Sequence, residues 1–137
     1  MMSYERLDVY QCSIQFLAMA TEITSELPRG SKDLSDQLKR AAMSIPLNIG
    51  EGAGKRTKPD CRKYFDNARG SAMECGAAMD VCKVLKLIDE KRIHAAKELL
   101  QYSVHAHETG ELIGKRLGLR LAPRAHDAAG DNVFAYG

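Results

Sequence analysis

Apolar residues along this chain fall at steps of three and four, and no strand-like alternation extends beyond a few residues. Over residues 7 to 27, Val9, Cys12, Phe16, Ala20, Ile23 and Leu27 share one apolar face, and Pro28 and Gly30 stop that first helix. Ser31 is expected to cap the second helix, with Asp33 favouring its positive end. There Leu34, Leu38, Ala41, Ile45 and Ile49 form an apolar stripe. Arg40, Ser44, Asn48 and Glu51, at steps of four, four and three, form a polar stripe beside it. Adjoining stripes of this kind predict a partly polar helix–helix interface rather than a catalytic pocket. Pro46 cannot donate to the carbonyl of Ala42, so a kink is expected, with the Ser44 hydroxyl or the Asn48 amide placed to satisfy the freed carbonyl. Gly50, Gly52 and Gly54 follow in alternation. Each costs about 1 kcal/mol against alanine in a helix interior, which is tolerable where another backbone comes close or where the helix ends. The end is expected between Gly52 and Arg56.

Thr57 is a good N-cap for a third helix, with Pro59 in its first turn and Asp60 at its positive end. Cys61, Phe65, Ala68, Ala72, Cys75, Met79 and Cys82 then alternate steps of four and three, the repeat of helices packed near +20°. Small residues crowd this region (Ala68, Gly70, Ser71, Ala72, Gly76, Ala77, Ala78) and would let a partner helix approach closely. Tyr64, Ser71, Ala78 and Leu85 make a second, offset stripe, suited either to a neighbouring copy or to one wide core face. Asp89 caps a fourth helix expected to reach about Leu117, with Ile93, Ala96, Leu100, Val104, Ile113 and Leu117 on its apolar face and Gly118 as its stop. Residues 118–137 read as an irregular tail, docked on a neighbouring subunit through Val133, Phe134 and Tyr136.

Four amphipathic helices with short connections predict an all-α, antiparallel up-down-up-down four-helix bundle over residues 1–117. If the second and third helices turn back near Arg56, facing residue numbers add to roughly 113. That puts Arg40 opposite Glu74, Glu51 opposite Arg62, Ser44 near Arg69 and Asn48 near Phe65. An Arg40–Glu74 ion pair is the expectation.

At 137 residues the chain is long enough for one domain to bury a core without disulfides or metals. The net charge of +2 excludes the global field of a strongly basic nucleic-acid binder. The charge is uneven, however. From Lys39 to Lys63 seven basic residues stand against Glu51 and Asp60, while the remainder carries 13 basic and 16 acidic residues. The cysteines, Cys12, Cys61, Cys75 and Cys82, form no C-x-x-C pair. No signal peptide is expected from the opening Ser3-Tyr4-Glu5-Arg6, and no apolar run is long enough to span a bilayer. Free, mostly buried thiols in a reducing cytoplasm are expected.

Two clusters bear on chemistry. Lys55, Arg56, Lys58, Arg62 and Lys63 gather at the turn between the second and third helices, where they suit phosphate backbones. The plainer reading is a solvated turn. Only Tyr64 and Phe65 lie beside them, so base stacking is poorly supported. The polar set Arg40, Ser44, Asn48, Glu51, Arg69, Ser71 and Glu74 holds groups capable of acid–base work, but no histidine or cysteine nucleophile is tied to it by spacing. A network that fixes helix register accounts for it better. No catalytic residue, cofactor or metal site is expected. No Glu-x-x-His occurs, Glu90 and His94 are four apart, and His94 and His126 have no partner evident in the spacing. His105 and His107, two apart, point about 200° from each other on a helix.

The chain resembles the four-helix bundle family that includes the 23S rRNA intervening-sequence proteins, over about residues 4 to 117. An opening aromatic and Leu-x-Val-[WY] are matched by Tyr4 and Leu7-Asp8-Val9-Tyr10. The motif Gln-[IL]-x-Arg-Ala-x-x-Ser-Ile-x-x-Asn-Ile-Ala-Glu-Gly is matched from Gln37 to Gly52, with Gly50 in place of the usual alanine. Ala-Arg-Gly-Ser-x-x-Glu is matched from Ala68 to Glu74, followed by Cys75-Gly76 where longer side chains are common. The resemblance implies a ring assembled from identical copies, a homopentamer, with no established reaction. A similar ring-forming bundle serves a retroelement reverse transcriptase as an accessory subunit, so such a partner is implied as well. The expectation is a non-enzymatic oligomer that meets RNA, DNA or a nucleic-acid-handling protein through its basic end. The alternative is a structural or protein-binding scaffold with no nucleic-acid role.

Overall fold

A short 3₁₀ turn, Ser3–Arg6, leads into four helices: α1 (Asp8–Glu26), α2 (Lys32–Ala53), α3 (Lys58–Val84) and α4 (Glu90–Thr109). The computed structural model describes residues 2–109, with side chains as far as residue 104. α2 lies against α1 and α3, and α4 closes against α3 and α1. Contacts descend along one helix as they climb the next. Gln37 meets Glu74 and Ser44 meets Ser71 between α2 and α3. Lys83 pairs with Glu90, and Asp80 with Lys97, between α3 and α4. Arg92 of α4 pairs with Glu26 of α1, while Tyr102 lies within electrostatic reach of Asp8 and Cys12. The fold is therefore the antiparallel up-down-up-down four-helix bundle that the periodicity predicts. Ile113, Leu117, Gly118 and the tail at 118–137 lie outside the described residues.

The helix ends follow local chemistry, with one correction. Thr57 caps α3 as expected: the Asp60 N–H donates to Thr57 Oγ1 at 3.3 Å, and the Thr57 hydroxyl donates to the Asp60 carboxylate at 2.6 Å. Asp89 Oδ1 accepts the Arg92 N–H at 2.9 Å and opens α4. Ser31, by contrast, makes no side-chain cap. A 3₁₀ turn, Arg29–Ser31, runs directly into α2, and the Ser31 N–H donates to the Pro28 carbonyl at 2.9 Å. α3 closes with the Leu87 N–H on the Cys82 carbonyl and the Lys86 N–H on the Lys83 carbonyl, with Lys86 in the left-handed region at φ 54°, where glycine is usual.

The third-helix repeat is the core seam. Phe65, Ala68, Ala72, Cys75, Met79 and Cys82 are buried, and Cys61 is half-buried at its solvent end. They meet Val9, Cys12, Phe16 and Ile23 from α1, Leu38, Ile45 and Ile49 from α2, and Ile93, Ala96 and Leu100 from α4. All four cysteines are free thiols. Burial, then the nearby Asp8 charge, pushes Cys12 up to about 12; burial, then Glu74, does the same for Cys75. Tyr102 and Ser103 are also buried, which the apolar periodicity did not indicate.

Two glycines of α2 have opposite meanings. At Gly52 a methyl would lie 3.1 Å from Phe65 Cε1, 3.1 Å from Tyr64 Cβ and 3.2 Å from the Cys61 carbonyl oxygen. Two of those three atoms belong to backbone or a Cβ and cannot swing aside, so α2 and α3 are too close there for a side chain. At Gly50 a methyl would rest 3.9 Å from the Tyr4 ring, ordinary contact. Gly52→Ala is expected to lower stability by about 1–3 kcal/mol through overpacking. Gly50→Ala is expected to raise it by about 0.5–1 kcal/mol by removing backbone freedom from the unfolded chain. Denaturant melts of the two variants check both signs.

Candidate nucleic-acid interface

The polar stripe of α2 meets α3 along a seam on the outside of the bundle. Asn48 Nδ2 donates to the Ser44 carbonyl at 2.8 Å and to Ser44 Oγ at 2.9 Å. Ser71 Oγ donates to Ser44 Oγ at 2.9 Å across the helix pair. One level further along, Gln37 Nε2 donates to Glu74 Oε1 at 3.1 Å. Helix spacing brings these groups together: Gln37, Ser44 and Asn48 follow one side of α2, and Ser71 and Glu74 one side of α3.

Several expected pairings change. No Arg40–Glu74 ion pair forms among the described residues; the carboxylate takes the Gln37 amide, and Arg40 and Glu74 are both exposed. The helix register is close to that predicted, but Gln37 stands on the Glu74 side of the stripe and reaches it first. Ser44 finds Ser71 rather than Arg69. Arg69, two positions earlier, points about 200° away around α3, on the side where Asp80 pairs with Lys97 of α4. Glu51 does not turn to Arg62 but sits 3.5 Å from Lys55, four residues on in the turn that follows α2. The Asn48 amide serves the Ser44 carbonyl instead of the Ala42 carbonyl freed by Pro46, four residues back rather than six. The Tyr64, Ser71, Ala78 and Leu85 stripe is not a free face: Ala78 is buried, Tyr64 and Ser71 are half-buried, and only Leu85 is exposed.

Among the described residues, Ser44 and Ser71 have each other and Asn48 as side-chain partners, and none of these is an acid or a base that could activate a hydroxyl. His94, for which spacing suggested no partner, lies 3.2 Å from Glu98 on the surface of α4. Among the described residues no three His, Cys, Asp or Glu side chains gather to hold a metal ion. No helix among them is long and apolar enough to cross a membrane.

The basic cluster has a different character. Lys55, Arg56, Lys58, Arg62 and Lys63 are all exposed, on the turn between α2 and α3 and the first turns of α3. Lys55 is engaged. Its Nζ stands 4.7 Å from the Tyr64 ring centroid and close to Glu51, and its ammonium is held above the ordinary lysine range by Tyr64 first and Glu51 after it. Asp60 is tied to the Thr57 hydroxyl in the cap. Arg56, Lys58, Arg62 and Lys63 have no carboxylate partner among the described residues. These four exposed cations, on the turn and the first turns of α3, form a positively charged surface in which Glu51 and Asp60 are engaged elsewhere and Asp66, one turn beyond Arg62, pairs with none of the four.

Spacing within the quoted motif contained the signal for Gln37, three residues before Arg40 on the polar side. The loss of Lys55 to Tyr64 depended on a contact between the turn and the face of α3, nine residues on, and had no one-dimensional trace.

A protein-family model described as 23S rRNA-intervening sequence protein matches residues 5–105, a span that takes in both the seam and the basic turn. No curated protein matches the chain.

If Ser44 and Ser71 hold α2 to α3, Ser44→Ala and Ser71→Ala each lose about 0.5–1.5 kcal/mol of stability. The double variant then loses less than the two together, with a coupling of about 0.5–1 kcal/mol measured by urea denaturation. Simple additivity would show that the bond contributes nothing to the helix pair.

Proposed function

The chain belongs to the 23S rRNA-intervening sequence protein family, and from that premise we propose that it is a non-enzymatic homo-oligomeric bundle, a pentameric ring in the cytoplasm, that meets nucleic acid or a nucleic-acid-handling protein through its basic end. The observation that carries this reading is the contrast between the two polar sets. Ser44, Asn48 and Ser71 bond one another and Gln37 bonds Glu74, while Arg56, Lys58, Arg62 and Lys63, like Arg40 at the edge of the seam, face solvent with no carboxylate partner among the described residues. Cations in that state gain most from phosphate, because binding releases condensed counterions rather than breaking existing ion pairs. Repetition around a ring would concentrate the field at one end of the assembly.

Assembly is supported by apolar side chains on the outward faces of the same two helices. Met43 and Leu47 stand one turn apart on α2, Leu47 70% exposed. Met73, Ala77, Val81 and Val84 recur at steps of four, four and three on the solvent side of α3, Val84 78% exposed. Such stripes suit contact with further copies or with a protein such as a reverse transcriptase. They equally favour the second reading, a scaffold with no nucleic-acid role.

The test combines light scattering with electrophoretic mobility shifts. A mass about five times that of the protomer is expected. A shift of RNA or DNA should weaken as salt rises, with a log–log slope of roughly −3 to −4 per protomer if four phosphates are neutralised. Changing Arg56, Lys58 and Arg62 together to glutamate should abolish the shift and leave the mass unchanged. No shift at low salt would leave the scaffold reading standing.

A further inference from the structure

We infer that the basic end holds the sugar–phosphate backbone of a double-stranded nucleic acid and not unpaired bases, an inference that rests on the nucleic-acid reading of that end. Proteins that hold single strands add aromatic platforms to their cations, because each unpaired base offers a face to stack on. The rings near this end are already occupied. Phe65 is 8% exposed and enclosed against Gly52 of α2. Tyr64 is half-buried and carries the Lys55 ammonium over its ring at 4.7 Å, with Glu51 holding that lysine in place. Tyr4 lies over Gly50 and meets Tyr10 edge to face, with ring centroids 4.9 Å apart. Among the described residues, no ring at this end stands open for a base.

The four cations at this end with no carboxylate partner among the described residues are long and exposed. Lys58 and Arg62 are one helical turn apart, on the order of 6 Å along α3. A duplex presents about one phosphate charge per 1.7 Å of its axis, so several fall within reach of four such groups however the duplex is turned. A single strand carries fewer charges per length and releases fewer counterions per contact. With stacking closed, charge density decides, and it favours the duplex. The cations stand on the turn and the first turns of α3, so the contact inferred is with the backbone and is indifferent to sequence.

Fluorescence anisotropy decides the matter. The protein is titrated with a labelled duplex of about 20 base pairs, as DNA and as RNA, and with each separated strand, alongside oligo-dA and oligo-dT, all at one salt concentration. Binding of either duplex at least fivefold tighter than its own strands supports the inference, as does equal binding of oligo-dA and oligo-dT. Tyr64→Leu should leave duplex affinity within twofold. A single strand bound as tightly as the duplex, a marked preference among bases, or loss of strand binding in Tyr64→Leu would overturn the inference while leaving the nucleic-acid reading intact. Binding of neither form at low salt would overturn both.

Discussion

The close approach of α2 to α3 at Gly52 governs this molecule. With no side chain on α2 there, the Phe65 ring edge and the Cys61 carbonyl can lie within about 3 Å of where a Cβ would be. That contact sets the level of one helix against the other. Once it is set, Ser44 arrives opposite Ser71, Gln37 arrives beside Glu74, and the chain must reverse within the few residues between Ala53 and Lys58. The basic cluster stands on that reversal. Its position follows from packing rather than from any property of the cations themselves.

A polar seam on the outside of a helix pair does work that an apolar contact cannot. Apolar side chains tolerate a slide of one helix along another, since one methyl serves much like the next. Directional bonds such as Ser71 to Ser44 and Asn48 to Ser44 are lost on such a slide, leaving half-buried hydroxyl and amide groups unsatisfied. The seam therefore adds register to a core supplied by Phe16, Ile23, Leu38, Ile45 and Met79. The same accounting explains why these groups make poor candidates for catalysis: their bonding capacity is directed at one another.

Most of the architecture was legible in one dimension because it depends on one-dimensional quantities. The steps of the Cys61-to-Cys82 repeat identified the buried face of α3, and Thr57 and Asp89 marked helix starts because caps are local. Ser31 misled because a 3₁₀ turn can lead into a helix without a side-chain cap, and spacing does not distinguish the two. The facing of α2 on α3 was legible only to within about a turn. That was close enough to find the seam and too coarse to choose Gln37 over Arg40 as the partner of Glu74. Of the basic cluster, spacing placed five cations near one turn, where the structure has them exposed, but could not separate Lys55, held between Glu51 and Tyr64, from the other four.

Seam residues join the helices, and the proposed role of the turn residues is to meet the ligand. Hydrogen–deuterium exchange with and without bound nucleic acid tests this division most directly, because it reports on both regions at once. Added protection is predicted in peptides covering residues 54–63, with none in those covering 40–50 and 67–75 beyond their protection in the free protein. Protection centred on Ser44, Asn48 and Ser71 with an unchanged turn would contradict the account.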